Sequence, residues 1–269
     1  MNTSGPTLSS EYATTTPLQV RIDTHTHHSE HPDDPISAVL DALELTGTEA
    51  LADIGCGDGR FLAQLAEHGH RGRLVGVDNS AAMVTTADAR PGVSGVLGNA
   101  EQLPLTDGEF DRTTARHMLY HVPDPGQALR ELRRITRPGG RVAVTVNHPG
   151  TCTRTRQLVL DHARRCGLNP AEELTNSVNS TTLAPMMRAV FPDTQIRRFD
   201  NALIFDTAAP LIRFAEALFS FCGVSHDSPH RAAILAAVTA NIEEWFTNHR
   251  GEVWRDPKGY IVATAILSE

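Results

Sequence analysis

The sequence lacks the marks of several large protein classes. It has only four cysteines, Cys56, Cys152, Cys166 and Cys222. They are widely spaced, with no Cys-x-x-Cys pair and no disulfide framework, which fits a reducing compartment. The first thirty residues contain no apolar signal-peptide core. The longest apolar runs, such as Ala232–Val238, are far too short to span a bilayer. A cytoplasmic protein with no membrane partner is expected. Aromatic residues number only 14 (two Trp, three Tyr, nine Phe), so no stacked aromatic cage is evident. Positive charge is outnumbered, with 24 Lys and Arg against 32 Asp and Glu and a formal charge of −8. There is no basic stripe and no Asn-Pro-Pro-Tyr-type motif, so no nucleic-acid partner is expected. No internal repeat is present.

What remains is an ordinary globular composition, 40% hydrophobic and 21% charged over 269 residues. At about 150 residues per domain, this suggests one large domain or one domain with an insertion. Residues 1–19 are rich in Ser, Thr, Pro and Gly and are expected to form a mobile tail. Ile36, Val39, Leu40 and Leu43 have the spacing of an amphipathic helix, with Gly47 placed to end it. Strands and helices then alternate. Leu51–Ile54, Leu74–Val77, Gly95–Leu97, Phe110–Ala115 and Arg141–Asn147 are the apolar runs. Ser80 is a candidate N-cap, and Asp124-Pro125 reads as N-cap and N1 of a helix that Pro138-Gly139-Gly140 stops. Such alternation predicts a parallel sheet with helices on both faces. After Pro149, residues 151–190 read as mainly helical, Thr194–Phe205 as a strand, and Pro210–Phe221 as a helix. A longer helix opens at Ser228-Pro229, and Tyr260–Leu267 is a final strand.

The chemistry-bearing feature is Asp53-Ile-Gly55-Cys-Gly57-Asp-Gly59, where the first strand meets the first helix. Glycines there let backbone approach a ligand, and the helix start presents N–H groups to it. The same turn could serve only to pack a helix on a strand. It departs from the dinucleotide fingerprint, because Arg60 occupies the position of the third glycine, and no phosphate-loop Gly-Lys-Ser/Thr follows. Asp53 would repel a pyrophosphate but tolerate a cationic ligand. Asp78 ends the second strand 19 residues after Gly59, where a carboxylate accepts from a ribose diol. Asn99, after the third strand, is placed to face an adenine edge.

Taken with Val75-Gly-Val-Asp78, Gly98-Asn-Ala-Glu-Gln-Leu-Pro-Leu105, Phe110-Asp111, His117-Met-Leu-Tyr-His-Val-Pro-Asp124 and Arg137-Pro-Gly-Gly-Arg141, the chain resembles the class I S-adenosylmethionine-dependent methyltransferases. The resemblance is to the bacterial small-molecule type, and it is specific across residues 50–148. It implies an α/β fold, a doubly wound seven-stranded Rossmann-like sheet whose last strand is antiparallel, with an N-terminal lid and a helical cap insertion. The division implied is a tail and lid at 1–35, a cofactor core at 36–149, a cap with remaining core elements at 150–258, and the final strand at 259–269. The cofactor implied is S-adenosylmethionine. Gly55, Gly57 and Gly59 would shape the turn around its methionine part, with Asp53 near its amino group. Asp78 would bind the ribose, and Asn99 and Ala100 the adenine. Asn79, Glu101 and Arg116 complete the expected binding set. The family usually has Asp where Asn99 stands, and an amide oxygen still accepts. Arg21-Ile-x-x-His25 resembles a lid segment, in which Arg21 would pair with the cofactor carboxylate.

A sulfonium carries its methyl group already activated, so the protein must orient a nucleophile, exclude water and in some cases take a proton. The candidates stand at strand ends. His117 and His148 are the candidate catalytic residues, as base or substrate orienter, and His117 could instead only pack. Tyr120, His121 and Asn147 are candidate substrate contacts. In the cap, Arg154, Arg156, Met186, Met187, Phe205, Phe214 and Phe221 read first as core and second as an apolar substrate lining. The acceptor expected is an O, N or C nucleophile of a small molecule, or a peptide, in bacterial secondary metabolism. Competing readings are a metal-dependent hydrolase using His25 and His27 on a strand, an NAD-dependent oxidoreductase, and a cofactor-binding protein without turnover. No metal is expected. His25, His27, His28 and His31 are assigned to the lid.

Overall fold

The five apolar runs at the centre of the sequence form parallel strands: β1 (Leu51–Ile54), β2 (Leu74–Asp78), β3 (Val93–Leu97), β4 (Phe110–Arg116) and β5 (Thr136–Asn147). The structure is a computed structural model and describes residues 15–169 and 178–268. β2 pairs with β1 and β3, and β4 with β1 and β5, all parallel. β7 (Trp254–Ile266) joins β5 antiparallel, with Arg141 opposite Ile266 and Asn147 opposite Tyr260. With β6 (Gln195–Phe205), the sheet order is β3-β2-β1-β4-β5-β7-β6. This is the doubly wound, seven-stranded α/β sheet with an antiparallel last strand that the sequence implied.

The chain divides into two compact units. The sheet unit comprises the described residues of Asp34–Pro149, Leu174–Phe199 and Tyr260–Glu269. The helical unit comprises those of Met1–Asp33, Gly150–Glu173 and Asp200–Gly259. The sequence-based division kept 150–258 together, whereas here 178–199 goes with the sheet.

Parallel strands buried on both faces need apolar residues at successive positions, which is why these runs do not alternate. Because successive side chains point to opposite faces, Ala52, Ile54, Val75, Val77, Val142, Val144 and Val146 enter one core cluster. Leu51, Leu74, Ala143 and Val262 enter another. The helix Pro125–Ile135 covers the first face through Ala128, Leu129, Leu132 and Ile135. The helices Pro35–Leu43 and Arg60–Glu67 cover the second. Each such fully buried Val, Leu or Ile side chain stabilises the fold by about 1.5–3 kcal/mol. The expected caps are present. Asp124 Oδ1 accepts from Gln127 N at 2.9 Å, with Pro125 at N1, and Ser80 Oγ accepts from Met83 N at 3.5 Å, opening the helix Ala81–Asp88.

Numbered in chain order, the α-helices are α1 (Thr15–His27), α2 (Pro35–Leu43), α3 (Arg60–Glu67), α4 (Ala81–Asp88), α5 (Pro125–Ile135), α6 (Thr153–Arg165), α7 (Leu183–Val190), α8 (Ala208–Ala217) and α9 (Arg231–Asn248). Three expectations are corrected. Residues 15–19, assigned to a mobile tail, belong to α1; residues 1–14 lie outside the described residues. Gly47 does not end α2, which stops at Leu43 because Glu44 turns left-handed (φ 48°) and donates its N–H to Leu40 O. Pro138-Gly139-Gly140 does not separate α5 from its strand. β5 begins at Thr136, and Gly139 N and Gly140 O bond Leu267.

In the helical unit, α1 packs on α8. Residues 28–30 then pair with β6, through Ile204 N to His28 O at 2.7 Å and Glu30 N to Ala202 O at 2.9 Å. Arg255 grips Glu30 with Nη2 2.7 Å from Oε2. Lys258 is the one lysine of the sequence. Its Nζ lies 2.8 Å from Asp33 Oδ2, with the side chains 5% and 7% exposed. Asp256, fully buried on β7, caps α6 by accepting from Arg154 N and Thr155 N at 3.1 and 2.8 Å.

Just before β1, Glu49 is 8% exposed and accepts from Thr46 N, Thr46 Oγ1, Gly47 N and Thr48 N at 2.8–3.1 Å. Burial alone would raise its pKa, but these hydrogen bonds outweigh burial and hold the carboxyl down to about 2, against an ordinary 4.5. A depressed folded-state pKa gives stability that is complete above the ordinary value and is lost as pH falls through the folded one. Glu49→Gln is therefore expected to cost about 2 kcal/mol at pH 7 and progressively less toward pH 2. Urea unfolding of both proteins between pH 2 and pH 7 checks it.

Candidate functional site

The chain runs outward from β1 through β2 to β3, then restarts on the other side of β1 at β4. The strand order reverses between β1 and β4, and in open α/β sheets ligands bind in the crevice beyond the strand ends at such a point. The glycine turn lies there. Gly55, Gly57 and Gly59 have φ of 71°, 55° and 71°, a region that side chains disfavour. Their surroundings differ. A Cβ on Gly55 would lie 2.6 Å from Met118 Cβ, and one on Gly59 2.7 Å from Ala87 Cβ, so both are excluded by packing. A Cβ on Gly57 would meet nothing within 4 Å. The bare backbone at Gly57 faces open space.

Backbone hydrogen bonds fix this turn to the next one. Gly55 N and Cys56 N both donate to Val77 O, at 2.7 and 3.0 Å. Asp78 accepts from Gly57 N through Oδ2 and from Ser80 N through Oδ1, each at 2.9 Å. Its carboxylate is thus oriented by two turns while each oxygen retains a lone pair. Asn79 is exposed beside it. Cys56 is buried, and burial, with Asp53 and Asp78 nearby, pushes its thiol well above the ordinary range. It stays protonated and unreactive.

Asp53 is fully buried. Arg116, at the end of β4, donates to it through Nη2 at 2.8 Å and Nε at 3.3 Å. Burial raises the Asp53 pKa, Arg116 opposes that, and Asp78 adds to the rise. The expected placement of Asp53 near a ligand amino group meets this pairing instead. Arg116 takes the accessible place, with its guanidinium 4.0 Å from the Phe61 ring centroid. The pair joins residues 63 positions apart, which no local sequence pattern signals.

After β3, Asn99 Oδ1 accepts from Glu101 N at 3.0 Å. The oxygen assigned to an adenine edge therefore also closes an Asx turn across Ala100. Glu101 Oε1 accepts from Asp124 N at 2.9 Å. Two residues missed in the sequence hold this loop from α5. Glu131 Oε2 accepts from Leu103 N at 2.7 Å, and Arg134 donates to Leu103 O and Leu105 O at 3.0 and 2.7 Å. Their signal was an Arg–Glu pair on a helix flank, which is indistinguishable from a solvated face.

His117 follows β4 with φ 51°, and its N–H donates to Thr145 O at 2.9 Å. A left-handed histidine costs about 1–3 kcal/mol, and such residues cluster at functional sites. Tyr120 and His121 lie on a 3-10 turn, Leu119–His121, with ring centroids 4.5 Å apart. Asn147 ends β5, and His148, buried, follows it. Asn147 O accepts from Ser180 N at 3.0 Å. Ser180 is 8% exposed, and its Oγ has no hydrogen-bond partner among the described residues. It too was missed, because an isolated serine before a helix reads as a cap.

All these residues belong to the sheet unit. Arg21 belongs to the helical unit, where Nη1 donates to Ala217 O at 2.9 Å and the guanidinium lies over Phe221 at 4.5 Å. The strand expected under the metal-site alternative is absent. His25 and His27 lie on α1, where residues two apart do not share a face. His25 packs edge-on against Phe214, His27 Nδ1 contacts Asp23 O, and His28 stacks on Phe205. His31 N donates to Asn201 Oδ1. Among the described residues no group of three or more His, Cys, Asp or Glu could hold a metal, and no helix is long and apolar enough to cross a membrane. Met187, Phe205 and Phe214 are core, Met186 is partly buried, Phe221 is exposed, and Arg154 lies 3.6 Å over the Trp254 ring.

Residues 52–144 match the methyltransferase-domain family. Over 113 residues the chain is 43% identical to an uncharacterized 37.1 kDa protein of transposon TN4556 from Streptomyces fradiae, covering 40% of this chain and 33% of that one. Over 108 residues it is 39% identical to a demethylmenaquinone methyltransferase of Beutenbergia cavernae, covering 40% of this chain and 44% of that protein. The chain thus spans between a third and about half the length of the curated relatives it matches. In fold it resembles a structure described as a methyltransferase from an antibiotic biosynthesis pathway of Anabaena variabilis. The TM-score is 0.59 at 19% identity, covering 84% of this chain and 95% of that one. Residues 52–144 thus match a methyltransferase-domain family model, and the fold is similar to that of this solved structure.

Proposed function

We propose that this protein is a cytoplasmic S-adenosylmethionine-dependent methyltransferase. In this reading it acts on an O, N or C nucleophile of a small molecule, a peptide included, in bacterial secondary metabolism. One observation carries the proposal. Open space lies over the Gly57 backbone at the reversal between β1 and β4, where packing supplies no reason for a glycine. The residues around it fit the cofactor. Asp78 keeps lone pairs for a ribose diol, the Asn99–Glu101 turn suits a purine edge, and Arg116 offers a cation. The name of one relative concerns menaquinone methylation, and in this reading the stretch it shares with this chain is the cofactor-binding part. A quinol-like phenol is one acceptor within the proposed class.

When bound, the cofactor supplies a methyl group activated by its sulfonium. The protein's part is orientation and, where the acceptor is not already ionised, proton removal. His117 is the first candidate, because its left-handed backbone turns the chain at the end of β4. His148 is the second, and Tyr120, His121 and Asn147 are proposed to border the acceptor.

Calorimetric titration with S-adenosylhomocysteine and with NAD tests the cofactor assignment: the first is expected to bind and the second is not. Asp78→Asn is expected to weaken the first interaction by tenfold or more, roughly the value of one charged hydrogen bond; unchanged affinity would sink the ribose assignment. Gly57→Ala is expected to lose affinity with a stability cost of about 1–2 kcal/mol. Gly55→Ala, driven into Met118, should instead lower the melting temperature more than Gly57→Ala does. With labelled cofactor and a panel of small acceptors, His117→Ala is expected to reduce turnover by roughly 100-fold at near-normal cofactor affinity. Unaffected turnover would move the proton to His148 or remove the need for a base.

A further inference from the structure

We infer that Arg116 holds the carboxylate of the cofactor's amino-acid arm, and that Asp53 is not a ligand contact but the residue that positions Arg116. This rests on the cofactor reading above and assigns the ligand's anionic end to one side chain. The first observation is burial. Asp53 is fully enclosed and its carboxylate is taken up by Arg116 Nη2 and Nε. A ligand amino group would have to displace the guanidinium to reach it. The second is the geometry of the guanidinium. One edge meets Asp53 and one face meets Phe61, the second residue of α3, directly after the glycine turn. Its Nη1 makes no hydrogen bond to a described residue, and the side chain remains 18% exposed. A planar cation clamped on one edge and one face is a preorganised donor for an anion at its remaining edge.

The third observation comes from neighbouring strands. Thr145 lies beside Arg116 in the β4–β5 register, and Thr114 beside Asp53 in the β1–β4 register. Both are buried, and neither hydroxyl has a hydrogen-bond partner among the described residues. Buried polar atoms are usually satisfied, so orphan hydroxyls on both sides of the ion pair mark a polar ligand or an ordered water at this point of the sheet. The strand geometry gives the selection rule. Asp53, Thr114, Arg116 and Thr145 occupy alternate positions that share the face opposite the Ala52, Ile54, Ala115 and Val144 cluster.

Paired titrations test the inference with two ligands: S-adenosylhomocysteine and its decarboxylated analogue, in which a 3-aminopropyl thioether replaces homocysteine. The wild-type protein is expected to prefer the carboxylate-bearing ligand by roughly tenfold to 100-fold, the value of one or two charged hydrogen bonds. Asp53→Asn should shrink that preference while the affinity for the analogue stays nearly constant, which a merely structural role would not do. Arg116→Ala alone strands a buried carboxylate and risks misfolding, so the decisive variant is the double Asp53→Asn, Arg116→Gln, in which no unpaired charge remains. It should bind both ligands equally. A preserved preference in the double variant, or a preference abolished by Arg21→Ala instead, overturns the assignment alone. A wild-type protein that binds neither ligand overturns it together with the cofactor reading.

Discussion

One carboxylate ties the central architecture together. Asp78 ends β2 and accepts backbone N–H groups from two different strand-to-helix turns, Gly57 after β1 and Ser80 after β2. Charge-assisted bonds of this kind are about twice as strong as neutral ones. These set the glycine turn against the next strand, beside the two bonds into Val77 O. The entry of α3, the exposure of Gly57 and the placement of Phe61 under Arg116 all follow from that junction. In the proposed reading, binding chemistry and fold specification share atoms. A ribose accepted by Asp78 would use the lone pairs that the backbone leaves over.

Much of this was legible in the sequence because it is local. Apolar runs buried on two faces, a serine or aspartate at a helix start, and proline at N1 are short-range signals with physical causes, and they located β1 to β5, α4 and α5. The glycine turn was legible as a turn. Which of its glycines is there for packing and which for access was not, since that depends on Met118 and Ala87, far along the chain. The same limit hid the Asp53–Arg116 pair and the clamp of Glu131 and Arg134 on the loop after β3.

The failures also have causes. Residues 15–27, with Thr, His and β-branched side chains, carry weak helical propensity, and packing on α8 makes them helical. The strand-like spacing of His25 and His27 dissolved with that helix. Arg255-Asp256-Pro257-Lys258 lies before the final strand expected at Tyr260–Leu267. It is the first part of β7 because Asp256 caps α6 and Pro257 O accepts from Cys152 N. In each case the deciding interaction crosses a hundred residues or more.

The burial of Lys258 against Asp33 has a consequence for the surface. The other 23 basic residues of the chain are arginines, so every solvated side-chain cation here is a guanidinium, permanently charged and unreactive toward amine-directed reagents. The α-amino group aside, amine acylation of this protein has one side-chain site, and it lies inside the helical unit. The rate of lysine acylation is therefore a direct clock for the opening of the contact between the N-terminal segment and β7.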